Sequence, residues 1–191
     1  MITRKEMTRM LLKEGLLSWL ANNSFESVTV TSLCKASGIT RSTFYLHYSN
    51  IMEIVDDLVD DAIAYSKPGM VDNNNLQTIA NTLSAASNSV LLREAYDSIF
   101  DRLPLCQRII RHKKYLPLFL DEQISEYVLQ RIIGREKDRQ GLVMAEALGV
   151  SFDVGVSVFV FLVHGLYAVN KQYKWSQSDE WLEAQKIIFE L

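Results

Sequence analysis

Between Thr29 and Tyr48 the chain gathers side chains suited to hydrogen-bonded recognition: Thr29, Thr31, Thr40, Arg41, Ser42, Thr43, Tyr45 and His47. Arg offers a planar fork of donors, and the hydroxyls, phenol and imidazole both donate and accept, so the set matches an acceptor-rich surface. It lacks the parts a catalyst needs. Nowhere does the chain carry a glycine-rich phosphate loop, a nucleophile elbow or a histidine pair at zinc spacing. No enzyme, metal or cofactor is expected. Cys34 and Cys106 lie far apart without ligand spacing, which supports neither a disulfide nor a zinc site and fits a reducing cytoplasm.

A Tyr and a His on a short helix are, taken alone, ordinary packing or surface residues. Spacing gives these weight. Thr29 is a good N-cap for a short helix with Leu33 and Ala36 on its buried face, and Ser37-Gly38 stops it, Gly38 suiting a left-handed C-terminal turn. Thr40 then caps a second short helix that carries Phe44 and Tyr48 inward. Two short helices joined by so tight a turn form a helix-turn-helix, in which the second is held across the first and can project into a groove. Ahead of them, Leu12, Leu16, Trp19 and Leu20 share one stripe of a helix over Thr3 to Asn22, with Phe25 closing its core.

The remaining pattern predicts an all-α chain. Apolar residues make up 48 % of it, only three prolines interrupt it, and no period-2 alternation recurs. From Ile51, the residues Ile54, Val55, Leu58, Val59, Ala62 and Ile63 form one face of a helix, and Glu53, Asp56, Asp57, Asp60 and Asp61 form an acidic face expected to be solvated. Lys67 to Asn75 reads as a loop. Helices follow over Leu76–Ser89, Leu91–Arg102, Leu105–Lys114 and Pro117–Ile133, with Pro104 and Pro117 at starts and Arg135–Gln140 as a charged connector. The last two cover Ala145–Tyr173, broken near Gly149, and Ser178–Phe189.

Val154 to Val169 is apolar almost all round. With His164, two glycines and no flanking basic asymmetry, and shorter than the ~20 residues a span needs, it is expected to be covered by its own domain and a second subunit, not by a membrane. The N-terminus, with Glu6 inside its charged start, shows no export signal. The net charge of −3 is unequally shared: Met1–Asn50 carries +3 and the rest −6.

Over Thr29 to Glu53 the sequence resembles the DNA-binding domain of the TetR/AcrR family of bacterial transcription regulators, through the spacing from Thr29 via Leu33 and Gly38-Ile39 to Thr43-Phe44-Tyr45-x-His47-Tyr48. The resemblance implies a three-helix DNA-binding domain over 1–50 and a helical ligand-binding and dimerisation domain over 51–191, with helix 51–67 as connector. It further implies a homodimer binding a double-stranded palindromic operator, with half-sites ~34–36 Å apart or multiples of that, and responding to an unidentified small-molecule effector. Thr40–His47 would be the recognition helix, with Arg41, Ser42 and Thr43 near base edges and Arg41 suited to guanine. Tyr45 and His47 match phosphate or base contacts, and Thr29 and Thr31 match backbone contacts.

Ile51 stands where the family usually has a phosphate-contacting Lys, and Gly15 and Ser24 replace its usual Ala and Gly. In the body, Phe119, Tyr127, Phe159, His164 and Tyr167 are candidates for a ligand pocket or dimer lining, although aromatic stripes at helical spacing are often simply core. His112 with Lys113 and Lys114 reads as a solvated helix end. The alternative to a regulator is a helical interaction or small-molecule-sensing module whose helix-turn-helix no longer reads DNA.

Overall fold

A computed structural model describes residues 3–66, 75–103, 107–108 and 113–190. Their regular structure is entirely helical, as the sparse prolines and glycines predict. The helices are α1 (Arg4–Leu20), α2 (Val30–Ser37), α3 (Arg41–Tyr45), α4 (Ile51–Tyr65), α5 (Asn75–Ser84), α6 (Ser89–Ser98), α7 (Leu116–Leu120), α8 (Ser125–Leu148), α9 (Phe152–Gln172) and α10 (Asp179–Glu190). Most of the expected Lys67–Asn75 loop, Pro104, Cys106, His112 and most of the expected helix Leu105–Lys114 lie outside the described residues.

The chain forms two compact units, one of residues 1–65 with 112–132 and one of residues 66–111 with 133–191. In the first, α1 packs on α2, α4 and α7. Leu12, Leu16 and Leu20 are buried, while Trp19 and Phe25 are half-buried and Leu17 joins the core. On α2 the buried pair is Leu33 and Cys34; Ala36 is exposed. The expected Leu33/Ala36 face is thus rotated by about 80° around the helix, on Leu33's side, where α1 approaches through Gly15. A Cβ at position 15 would stand 2.1 Å from Ser37 Oγ and 3.3 Å from Leu33 Cδ1, so glycine here lets Ser37 face α1.

The second unit is built on Ile79 and Leu83 of α5, Leu92 and Tyr96 of α6, and Trp181 and Leu182 of α10, with Val169 and Tyr173 packed against them. Two departures from expectation occur along α8. The helix expected over Pro117–Ile133 is two helices, because the Asp121 side chain accepts from the backbone N–H groups of Gln123 (2.9 Å) and Ile124 (3.2 Å) and starts a new one. Arg135–Gln140 is no connector but lies inside the 24-residue α8. Its charges are compatible with a helix because most point to solvent, whereas Glu136 is buried and ion-paired with Arg139 three residues on.

Gly149, at φ 65°, ends α8 as expected, and α9 then crosses α8 at very close range. A Cβ on Gly155 would stand 2.2 Å from the Gly141 carbonyl oxygen. At 21 residues α9 is long and apolar enough to span a membrane by length and composition, so the objection from length does not stand. One face is covered, with Phe159, Val163, Leu166 and Asn170 buried; Val154 and Phe161 are 47 % and 76 % exposed.

Candidate nucleic-acid interface

Everything proposed to touch a partner from Thr29 to His47 falls in the first unit, on α2, α3 and their flanks. Thr29 begins α2 by a reciprocal cap: its hydroxyl accepts from the Ser32 backbone N–H (3.1 Å), and Ser32 Oγ accepts from the Thr29 N–H (2.9 Å). Gly38, at φ 66°, closes the helix. Its N–H reaches the Lys35 carbonyl and that of Ile39 reaches Cys34 (2.9 Å), the paired bonds that turn a chain sharply out of a helix. A side chain with Cβ is strained at that φ, so the turn depends on glycine.

The sharp exit places Thr40 at once as the next cap. Its hydroxyl accepts from the Thr43 N–H (3.2 Å) and lies 3.0 Å and 2.8 Å from the Ser42 and Thr43 hydroxyls. On α3 and the turn after it, Phe44 is fully buried and Tyr48 nearly so, their rings 6.2 Å apart. Arg41, Ser42 and Tyr45 are exposed; Thr43 and His47 are half-buried. Phe44 and Tyr48 act as a hinge pin, and the residues around them project outward.

Tyr48 is fastened further. Its hydroxyl donates to Asp57 of α4 (2.6 Å), the Arg9 guanidinium of α1 donates to the same carboxylate, and that guanidinium lies over the Tyr48 ring, 5.0 Å from its centre. Burial, then the bond to Asp57, pushes the Tyr48 pKa well up, and the bond to Asp57 raises that of Arg9. Asn50 caps α4 by accepting from Glu53 N–H (3.2 Å), and Glu53 accepts from Ser49 N–H (2.8 Å), which fixes the exit from α3.

The acidic face of α4 is therefore not a wet surface. Asp57 holds Arg9 and Tyr48, Asp61 holds Lys13, and Asp56 accepts from Tyr127 (2.7 Å) and is ion-paired with Arg131 (3.1 Å). This changes the electrostatics of the basic head: Arg9 and Lys13 are spent on aspartates, while Arg4, Lys5, Lys35 and Arg41 are exposed. Arg41 is close enough to Cys34 for its charge to oppose the upward push of burial on that thiol. A groove lined by Glu6, Met10, Lys13, Glu14, Leu58, Asp61 and Lys114 carries no surplus positive charge, since Lys13 pairs with Asp61 and Lys114 with Glu14.

The five body candidates do not share one unit. Phe119 is core and Tyr127 a tether to Asp56, both in the first unit. Phe159 is core, Tyr167 lies edge-on to Trp175 with ring centres 5.3 Å apart, and His164 is exposed, its Nδ1 2.8 Å from the Val160 carbonyl, all in the second. What the sequence reading missed there is a run of buried amides. Tyr96 donates to Gln107 (3.4 Å) and Gln107 to Gln185 (3.0 Å); Trp181 Nε1 donates to Asn170 (2.8 Å). Both terminal acceptors are carbonyl oxygens, and Gln185 Nε2 and Asn170 Nδ2 are buried donors with no partner among the described residues.

No protein-family model matches the chain, and a search of curated proteins gives no match.

Also missed in the head was Leu46, 81 % exposed in the middle of the polar run. The signal was there in the spacing: Leu46 is four residues from Ser42, on the side away from Phe44 and Tyr48.

Proposed function

We propose that the chain is a transcription regulator of the TetR type, which binds a palindromic DNA operator as a cytoplasmic homodimer, with repression as its default action. One observation carries the reading. A glycine-closed turn and two capped short helices hold Phe44 and Tyr48 in the core while Arg41, Ser42, Tyr45 and Leu46 stand out together. A short helix so presented, with basic and hydroxyl groups outward, suits a major groove, where Arg reads guanine and hydroxyls reach bases or phosphates.

The uncovered face of α9 supplies the second copy's contact, with Phe161 at its centre. An effector that binds better to one spacing of the two recognition helices shifts the pair away from the operator.

The second reading, an interaction module whose helix-turn-helix no longer reads DNA, has an observation behind it as well. Arg9 and Lys13 are neutralised by α4, and Ile51 is apolar where the family has Lys. Selection of genomic DNA fragments by the purified protein at ~50 mM salt decides between them. The regulator retains a palindromic set, and Arg41→Ala and Tyr45→Ala each weaken it at least ~10-fold. Retention of no fragment by the wild type leaves the interaction module standing.

A further inference from the structure

Leu46 has no visible duty inside the molecule. It is 81 % exposed, more than any other large apolar residue described, whereas Phe44 and Tyr48 on either side are 0 % and 3 % exposed. It follows Tyr45, itself 52 % exposed, and sits four residues from the exposed Ser42, so that Ser42, Tyr45 and Leu46 share one outward face beside Arg41. The conformation is fixed: Leu46 is helical in φ and ψ (−74°, −16°), and its N–H donates to the Thr43 carbonyl (3.2 Å).

Single exposed leucines are common, but this one stands among polar and cationic side chains on the face proposed to meet DNA, where an apolar group of the partner would cover it. In the major groove the base pairs offer one: the C5-methyl of thymine. We infer that Leu46 is a specificity-determining residue that packs on a thymine methyl in each half-site and so selects an A·T pair at that position. Arg41 and the hydroxyls of α3 supply polar readout and anchoring; Leu46 supplies the one apolar determinant. The inference rests on the operator-binding reading above, and it says what part of the operator that reading leaves open.

The test pairs a protein methyl with a DNA methyl. Each thymine of a selected operator is replaced in turn by uracil, which keeps the base-pairing edge and removes only the methyl. Wild-type protein loses about four-fold in affinity at one position per half-site, the worth of burying one methyl-sized group. Leu46→Ala, which loses the contact in both half-sites, binds the thymine operator about 16-fold more weakly and is indifferent to uracil at that position, whereas Leu46→Met restores the dependence. The side chain makes no core contact, so thermal unfolding of Leu46→Ala matches the wild type. A uracil penalty that persists unchanged in Leu46→Ala, or no penalty at any thymine, overturns the inference while the regulator reading stands. A wild type that retains no DNA overturns both.

Discussion

Asp57 accepts from Arg9 of α1 and from the Tyr48 hydroxyl, so one carboxylate of α4 ties together the two ends of the segment that presents α3. Because Tyr48 is 3 % exposed and bonded to a carboxylate, the folded protein holds its phenolic proton more tightly than the unfolded chain does at the ordinary value of 10.0. A raised pKa means that the unfolded state releases the proton first; the stabilisation is whole below pH ~10 and falls as pH rises beyond it. Tyr115 and Tyr127 are shifted the same way, the first by burial and the second by its bond to Asp56, so the alkaline fall has three contributors in this unit. Tyr48→Phe is expected to lose ~1 kcal/mol at pH 8 with the hydrogen bond and to show a shallower fall from pH 9 to 11 in urea unfolding. An identical alkaline slope in the variant would show that Tyr48 does not carry it. Phe44 and Tyr48 were legible as core from their apolar neighbours. Arg9 was not legible as their clamp, since its partner lies 48 residues away and a basic side chain on a surface helix gives no sign of what it meets.

The helices were read well where capping chemistry and apolar period agreed, at Thr29 and Thr40, and badly where one of the two was silent. Arg135–Gln140 looked like a connector because charge was taken for a break, yet nothing in it breaks a helix, and Glu136 finds Arg139 within one turn. Close approach between helices was the least legible feature, because a glycine in a sequence does not say what stands opposite it. Gly155 and Gly165 lie on the same helix and make opposite demands. A Cβ at 155 would meet the Gly141 carbonyl oxygen at 2.2 Å and the Ala145 backbone nitrogen at 2.7 Å, atoms that cannot rotate aside; at 165 it meets nothing within 4 Å. Gly155→Ala is therefore expected to destabilise by at least ~2–3 kcal/mol, prying α8 and α9 apart. Gly165→Ala, where the single chain leaves room, should be neutral or stabilising by up to ~1 kcal/mol for the isolated subunit. Thermal unfolding of the two variants side by side checks both, and equal effects would mean that the α8–α9 crossing is looser than described.

At the scale of the molecule, charge and apolar surface are divided between different parts of the chain. The head carries +3 and the remainder −6. The exposed apolar residues of α9, in turn, belong to the second unit. Single exposed leucines are common, but Val154 and Phe161, seven residues apart on one helix face, make a stripe that water solvates poorly. Phe161→Glu tests what covers it. At 76 % exposure the side chain gives up little intrachain packing, so the stability of the isolated fold should change by no more than ~0.5 kcal/mol. A carboxylate in the middle of an apolar subunit contact cannot stay solvated, and the variant should sediment as a monomer at micromolar concentration where the wild type sediments as a dimer. Operator affinity should then fall by ~10²-fold or more, because two half-sites are no longer engaged by one linked pair of α3 helices. Sedimentation of the wild type as a monomer removes the dimer. Flotation of the wild type with phosphatidylcholine vesicles, abolished by Phe161→Glu, would mean that lipid covers the stripe instead, since a 21-residue apolar helix meets the length for that as well.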